Sequence, residues 1–358
     1  AVPQPPAAGD ALVIDGERRV RLPAVWDGDR VTIGVPIFNT RITATRDAAS
    51  RSLIGDWEVE SIFSGNFKRT FRAEPHEPDA AARVDVGDAP PLDLREATTV
   101  WRATFSGSGE GKLELEQPSP GVLHLTVTLA TGNVMYLSGN ARGDAFRLTG
   151  FDGYSTYLVT GTVARDRKKL TASWSAGPKL EWRESITAQR SKPFDLPIAF
   201  RAEAGGPADF LPQREKYAGK PLVVSLSATW CSSCFNANPV LRELQAAHEK
   251  DGLQIVTLLY EMTDDPALDR EKAVAYKRDH HLTWDVIPVT GPIARAADLL
   301  PSALEEVDLS AFPLAIFVGR DGVVRGAQAG FPGPESREAY ARTVAAYQAG
   351  VAALVAAK

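Results

Sequence analysis

The sequence predicts two domains, an antiparallel β domain (a sandwich or a small barrel) over residues 10–192 and an α/β domain over residues 220–358. A chain of 358 residues is long enough to bury two separate cores. Short alternating runs separated by Gly, Asp and Asn fill the first part, whereas apolar strands alternate with helical segments after residue 220. Residues 1–9, rich in Pro and Ala, predict a flexible tether, and residues 193–219 predict a linker.

The β domain is predicted from nine short runs that have the period of strands. They cover residues 31–38, 53–62, 98–105, 111–116, 123–129, 134–141, 145–150, 154–164 and 169–174. Every second residue of the run 123–129 is apolar, which predicts one buried face and one face in water. His124 falls on the polar face, so we expect an exposed strand residue rather than a ligand. The stretch 72–94, rich in Pro, Ala and Asp, predicts a surface loop.

Aromatic residues of the β domain allow two interpretations. They are Trp57, Trp101, Phe151, Tyr154, Tyr157 and Trp174. Such side chains can line a ligand cavity or a partner groove, but aromatic residues at strand spacing more commonly form the core. Asp152 precedes a glycine and is most simply a turn residue.

The second domain is predicted as alternating strands and helices. The strands cover 221–226, 253–260 and 283–288, and helical segments cover 238–244, 269–281, 293–300 and 335–357. The last segment carries an apolar stripe that should pack on the sheet. His280 and His281 lie near a helix end, where they are expected to interact with terminal carbonyl groups rather than with a metal.

Cys231 and Cys234 are the only two cysteines of the chain, in the run Ala-Thr-Trp-Cys-Ser-Ser-Cys between a predicted strand and a predicted helix. A C-x-x-C pair at such a junction is typical of thiol–disulfide chemistry. At a helix N-terminus, free backbone N–H groups favour the thiolate form of Cys231. Cys231 is therefore the predicted exposed nucleophile that forms a mixed disulfide. Cys234, one turn further and more buried, is predicted to resolve it.

Two other interpretations of the cysteine pair stay open. A C-x-x-C can be half of a zinc site, but structural zinc normally takes four protein ligands. The chain has no second cysteine pair, and its five histidines do not complete a usual spacing. A purely structural disulfide is also possible in an extracytoplasmic protein.

Residues 221–331 resemble the thioredoxin superfamily, specifically the TlpA/ResA-like thiol–disulfide oxidoreductases of the AhpC/TSA-annotated group. The resemblance lies in the Thr-Trp-Cys-x-x-Cys motif, in Pro239, and in the Phe312-Pro313 strand with its following turn. It implies a thioredoxin-like fold, a cis peptide bond before Pro313, and substrate docking at Trp230, Phe312 and Pro313. Weaker similarity to a two-domain subgroup of this family covers residues 148–153, 258–263 and 330–334.

The sequence departs from that family at its usual acidic positions. Ser225 occupies the place of the buried carboxylate six residues before the first cysteine, and Ala237 occupies the place of an acid three residues after the second. Glu261, at the end of the predicted strand 253–260, is the candidate acid/base group that replaces them. An ordinary solvated acid at a strand end is the alternative for Glu261.

Composition excludes several partners and bounds the location. The chain is 44% hydrophobic and 24% charged with a net charge of −5, and it carries no basic patch that would favour nucleic acid. No run of 18 or more apolar residues predicts a membrane span. The start, Ala-Val-Pro-Gln, is interpreted as a mature terminus after signal-peptide removal. Together with the resemblance, this predicts a periplasmic protein or a lipid-anchored periplasmic form.

The sequence thus predicts a thiol–disulfide oxidoreductase that reduces protein disulfides in the periplasm and needs no cofactor. Its expected partners are a disulfide-containing protein substrate and an upstream electron donor, a membrane thiol–disulfide relay, as the resemblance implies. The alternative is a non-catalytic binding or interaction protein whose C-x-x-C is a structural or regulatory disulfide. The missing acids at Ser225 and Ala237 favour that alternative.

Overall fold

A computed structural model describes most of the chain. The described residues are 7–15, 18–35, 40–59, 66–75, 90–152, 155–177, 179–194, 196, 208, 211–261, 263, 265–290 and 312–357. Two compact units divide the chain: the first is Ala1–Gly107, Leu113–Leu125 and Leu137–Lys192, and the second is Ser108–Lys112, Thr126–Tyr136 and Pro193–Lys358. Within the described ranges, no helix is long and apolar enough to cross a membrane.

An antiparallel sheet of six strands in sequence order begins the described chain. Its strands are β1 (Ala7–Asp15), β2 (Arg18–Asp27), β3 (Arg30–Val35), β4 (Thr40–Arg46), β5 (Leu53–Val59) and β6 (Phe67–Ala73). Alternate residues of neighbouring strands are apolar, so Ala24, Val31 and Ala44 meet in one small core. The predicted tether, residues 1–9, is partly wrong, because residues 7–9 pair with β2.

A closed eight-stranded barrel follows, in the order β10-β11-β12-β13-β14-β7-β8-β9. Its strands are β7 (Thr98–Phe105), β8 (Gly109–Ser119), β9 (Val122–Leu129), β10 (Val134–Arg142), β11 (Ala145–Phe151), β12 (Thr156–Val163), β13 (Lys169–Ala176) and β14 (Trp182–Ser191). Seven predicted runs fall on these strands. Closure leaves no free edge. The sequence did not predict β1, β2, β4, β6 and β14.

Aromatic residues of the first unit pack against one another, as the core interpretation predicts. Trp101 is fully buried, and Trp57 contacts Phe151 edge to face with ring centroids 5.5 Å apart. Trp174 packs against Tyr157 at 5.4 Å. Tyr154 lies outside the described residues.

The prediction that His124 is exposed is wrong. His124 on β9 is only 6% exposed. Thr126 on β9 and two residues of β8, Lys112 and Glu114, are buried as well. Thr126 Oγ1 donates a hydrogen bond to Ser336 Oγ at 2.9 Å, and both residues belong to the second unit. The polar face of this strand is therefore covered by other parts of the chain, which an alternating pattern cannot reveal.

Two segments predicted as surface loop or linker contain buried residues. In the predicted loop 72–94, Leu92 and Leu94 are buried, and the Leu94 N–H donates to Gln117 Oε1 at 2.9 Å. In the predicted linker 193–219, Tyr217 is buried and its hydroxyl donates to Asp285 Oδ2 at 2.7 Å. Apolar side chains in irregular segments thus complete the cores that the regular strands begin.

A five-stranded sheet with flanking helices forms most of the second unit, in the order β17-β16-β15-β18-β19. Its strands are β15 (Leu222–Ser227), β16 (Gln254–Glu261), β17 (Asp285–Thr290), β18 (Leu314–Val318) and β19 (Val324–Ala329). The described helices are α1 (Ser232–Ala247), α2 (Pro266–Asp279) and α3 (Arg337–Ala356). Strands β15, β16 and β17 are parallel, whereas β18 is antiparallel to both of its neighbours. The predicted helix 293–300 lies outside the described residues.

Every residue of β15 is buried, Ser225 and Ser227 included, which explains why its other four residues are all apolar. Val224 and Leu226 face one core cluster, and Val223 faces another that contains residues of α1 and α3. The predicted stripe of α3 packs there through buried residues such as Tyr347 and Val351. Strand β15, which leads to the two cysteines, is therefore the central strand of this sheet.

His280 ends α2, and its ring lies between two aromatic rings. Its centroid is 4.6 Å from that of Phe235 and 4.4 Å from that of Tyr276. The backbone N–H of His280 donates to the Tyr276 carbonyl at 3.1 Å. Burial lowers the pKa of His280 from 6.5 to about 4, with a smaller opposing effect of Asp279.

We expect this histidine to make the second unit less stable in acid. Between pH 6.5 and about 4 the unfolded chain binds a proton at His280 that the folded chain does not, so the free energy of unfolding falls as pH falls. We expect the free energy of unfolding to fall by about 2 kcal/mol. This is less than the full pKa shift would give, because water reaches part of the ring. Urea unfolding at pH 7 and pH 4.5 measures it, and His280→Phe should reduce the difference. His281→Gln, at the exposed neighbour, should keep the wild-type difference; equal pH dependence in wild type and His280→Phe would contradict the assignment.

Candidate functional site

The two cysteines lie where β15 ends and α1 begins. Cys231 is the N-cap residue of α1, in extended conformation, and forms a disulfide with Cys234 across a Cα–Cα distance of 5.3 Å. The backbone N–H of Cys234 donates to Cys231 Sγ at 3.1 Å. The first N–H groups of a helix have no partner within the helix, so a sulfur at the N-cap receives one of them. Pro239 lies inside the same helix.

The two cysteines differ in residue exposure. Cys231 is 8% exposed and Cys234 is 1% exposed in the disulfide form. A thiol approaching from solvent therefore reaches Cys231 before Cys234. Cys231 was predicted to be exposed, but in the disulfide form it is buried in a cluster that includes Trp230 and Phe312.

Trp230, Tyr260 and Phe312 form an aromatic cluster beside the disulfide. The Trp230 and Phe312 ring centroids lie 5.1 Å apart, and those of Tyr260 and Phe312 lie 5.7 Å apart. Trp230 Nε1 donates to the Tyr260 carbonyl at 3.0 Å, which fixes the indole next to Cys231. Burial raises the pKa of Tyr260 to about 12, so its phenol is neutral at physiological pH.

The Phe312–Pro313 peptide bond is cis, and it lies at the cysteine end of the sheet. Leu226 of β15 pairs with Leu314 of the antiparallel β18, so the residue before Leu314 lies next to the chain that leads to Cys231. The Gly330 N–H donates to the Pro313 carbonyl at 2.8 Å and ties this segment to the end of β19. Phe312 and both cysteines share one buried cluster.

Glu261 is the last residue of β16 and is only 1% exposed. Its carboxylate accepts hydrogen bonds from the Thr229 N–H at 2.9 Å and from Thr229 Oγ1 at 2.8 Å. Lys272 Nζ on α2 forms an ion pair with it at 2.9 Å. The alternative of a solvated strand-end acid is thus wrong: Glu261 joins β16 and α2 to the segment two residues before Cys231.

A second buried hydrogen-bond network joins α2 to β15 and α1, and the sequence did not predict it. The Tyr276 hydroxyl lies 2.7 Å from Ser227 Oγ and accepts a hydrogen bond from Asn238 Nδ2 at 2.8 Å. These groups belong to α2, β15 and α1 respectively. Burial raises the pKa of Tyr276 to about 12. Polar residues at strand ends and next to a helix proline were the available signal, but no sequence spacing predicts that they meet.

Ser225 and Ala237 occupy the positions that were expected to carry acids, and neither is charged. Both are buried, with 3% and 1% exposure respectively. Within the described ranges, no three His, Cys, Asp or Glu side chains gather in an arrangement suited to a metal ion. A disulfide of this kind can exchange with an external thiol, and its reduced form can pass two electrons to another disulfide.

Comparison with known proteins gives matches among solved structures. No protein-family model matches the chain, and no curated protein matches it. A thiol:disulfide interchange protein of the thioredoxin family from Chlorobium tepidum TLS is 16% identical, with 39% of this chain and 92% of that chain covered and a TM-score of 0.29. A secreted Mycobacterium tuberculosis disulfide oxidoreductase is 15% identical over 40% of this chain and 94% of that chain (TM-score 0.26). A Bacteroides fragilis thiol-disulfide oxidoreductase is 18% identical over 38% and 93% (TM-score 0.27).

Proposed function

We propose that the chain is a TlpA/ResA-like thiol–disulfide oxidoreductase that reduces protein disulfides in the periplasm. The observation that carries the proposal is the Cys231–Cys234 disulfide at the N-terminus of α1, with Cys231 as its more accessible sulfur. In this proposal residues 220–358 form a thioredoxin-like domain that follows a β-rich domain over 10–192.

The reaction requires two sulfur exchanges. The Cys231 thiolate of the reduced protein attacks one sulfur of a substrate disulfide, which forms a mixed disulfide and releases the other substrate sulfur as a thiolate. The Cys234 thiolate then attacks Cys231 Sγ, restores the Cys231–Cys234 disulfide and releases the second substrate thiolate. Two electrons pass to the substrate. A dithiol of the proposed membrane relay returns them by the same exchange in the opposite sense.

Trp230, Phe312 and Pro313 are the proposed docking residues for the substrate. The indole of Trp230 and the ring of Phe312 pack beside Cys231, which supports apolar contacts with a disulfide-bearing segment. Strand β18 is antiparallel to β15, so the segment around Pro313, at its start, lies at the sheet end where α1 begins.

Glu261 has two proposed roles that its contacts distinguish. As an acid/base group it would exchange protons with the cysteine pair. Its three hydrogen-bond donors, two from Thr229 and one from Lys272, support a positioning role in which it fixes the segment before Cys231. We propose positioning as its main contribution, since both carboxylate oxygens are already engaged.

The second candidate function is a binding protein with a structural or regulatory disulfide. The low exposure of Cys231, 8%, is the observation that favours it. In that case reduction would expose no reactive thiol. The two candidates therefore differ in the behaviour of Cys231 after reduction.

We expect the reduced protein to reduce insulin disulfides with dithiothreitol as electron donor, and Cys231→Ser to abolish this turnover. Cys234→Ser should instead accumulate a mixed disulfide with the substrate, because the resolving thiol is absent. Non-reducing electrophoresis and mass spectrometry detect that adduct, and Cys231→Ser serves as the matched control that cannot form it. Full activity in Cys231→Ser, or a reduced Cys231 that resists alkylation, would favour the binding protein.

Glu261→Ala should lower the free energy of unfolding by about 3 kcal/mol, because it leaves the Lys272 ammonium group without its carboxylate. Glu261→Gln should retain a larger share of kcat than Glu261→Ala, since its amide oxygen still accepts a hydrogen bond from Thr229. Insulin reduction measured across pH separates the roles. Glu271→Ala, at an exposed acid on α2, is the control and should match wild type. An activity that loses its pH dependence in Glu261→Gln would instead support proton transfer.

A further inference from the structure

The hairpin formed by the ends of β9 and β10, residues 126–136, belongs to the same compact unit as the cysteine pair. Its turn is closed by hydrogen bonds from the Leu129 N–H to the Asn133 carbonyl at 2.9 Å and from the Gly132 N–H to the Leu129 carbonyl at 2.9 Å. Hairpin turns are normally exposed. Here Gly132 is buried, and the residues on either side of it are half-buried rather than exposed.

Gly330 is the residue against which this turn packs. A Cβ atom placed on Gly330 would lie 2.0 Å from the Gly132 carbonyl oxygen and 3.4 Å from Val134 Cγ2. Gly330 has φ +71°, which also disfavours a side chain. The backbones of the turn and of Gly330 are therefore in direct contact, and only glycine allows this approach.

A second contact holds the same hairpin. Thr126 Oγ1 donates to Ser336 Oγ at 2.9 Å, and both side chains are buried. The segment between Gly330 and Ser336 contains Phe331, which is fully buried. The hairpin is thus fixed at two points along the chain that follows β19.

Gly330 connects the hairpin to the proposed docking segment. Its N–H donates to the Pro313 carbonyl at 2.8 Å, while its other side contacts Gly132. Leu314 pairs with Ala329, so Pro313 and Gly330 lie at the same end of β18 and β19. A displacement of Gly330 therefore moves the hydrogen-bond partner of Pro313.

We infer that the hairpin 126–136 is a positioning element for substrate docking, which holds the Phe312-Pro313 segment through Gly330 in the orientation that a protein substrate requires. This inference rests on the proposed oxidoreductase function. A protein disulfide depends on the docking segment, because its flanking chain must lie along it. A small disulfide such as 5,5′-dithiobis(2-nitrobenzoate) needs access to Cys231 but no such support.

Gly330→Ala tests the inference, because the added methyl group forces the turn and Gly330 apart. We expect KM for insulin to rise by about tenfold, since small displacements of positioning groups produce effects of this size. The rate with 5,5′-dithiobis(2-nitrobenzoate) should stay within about twofold of wild type, because the cysteine pair itself is unchanged.

Gly322→Ala is the matched control. Gly322 has φ +78°, close to that of Gly330, but no atom lies within 4 Å of an added Cβ. Both variants thus carry the same backbone strain, and only Gly330→Ala displaces the hairpin. Equal KM values for insulin in the two variants would overturn the inference.

A second variant covers the case in which Gly330→Ala does not fold. Thr126→Val removes the hydrogen bond to Ser336 with little change in shape, and we expect a smaller rise of KM for insulin in the same direction. An unchanged KM in a folded Thr126→Val would then overturn the inference. Wild-type protein that reduces neither disulfide would overturn the proposed function itself, and this inference with it.

Discussion

The antiparallel pairing of β15 with β18 is the constraint on which the site depends. It sets Leu226 opposite Leu314, and thereby brings the segment before Leu314 to the end of the sheet where Cys231 caps α1. Val224 and Ile316 are paired in this register and fully buried. A slip of β18 by one residue would turn Ile316 from the cluster that contains Val224 to the cluster that contains Val223, where Ala315 and Phe317 now pack. Such a misfit in a close-packed core costs about 1–3 kcal/mol. Core packing therefore fixes the geometry of the site.

Buried polar groups extend this constraint to the helices. A carboxylate as deeply buried as Glu261 requires partners, since a charge without them is expensive in the interior. Thr229 and Lys272 supply those partners, so the ion pair holds α2 and the end of β16 against the approach to Cys231. The Tyr276 hydroxyl makes a comparable link through Ser227 and Asn238 without any charge.

Features set by short-range patterns were predictable from the sequence. The apolar run before the cysteines predicted a buried strand, and β15 covers residues 222–227. The motif predicted a helix at the pair, and Cys231 is its N-cap. The Phe312-Pro313 peptide bond is cis, as the resemblance implied.

Features set by packing between distant segments were not predictable. His124 is buried although it falls on the polar positions of its strand, and the alternating pattern gives no sign of this. The sequence left Glu261 as either an acid/base group or a solvated strand-end acid, because Lys272 and Thr229 have no sequence spacing that marks them as its partners. Strand β2 was missed although Val20, Leu22 and Ala24 alternate with exposed residues, because Pro23 within the run is a signal against a strand.

Because Ser225 and Ala237 are uncharged, no acid at these two positions distinguishes the two cysteines. Where a carboxylate lies beside a C-x-x-C pair, its charge and protonation affect the two thiols differently. Here the groups at those positions are a hydroxyl and a methyl, and both are buried. With no acid at either position, the helix and burial still distinguish the two cysteines. Cys231 receives the N–H of Cys234 and reaches solvent, whereas Cys234 is enclosed. In the proposed reaction, that asymmetry makes Cys231 the attacking cysteine and Cys234 the resolving one.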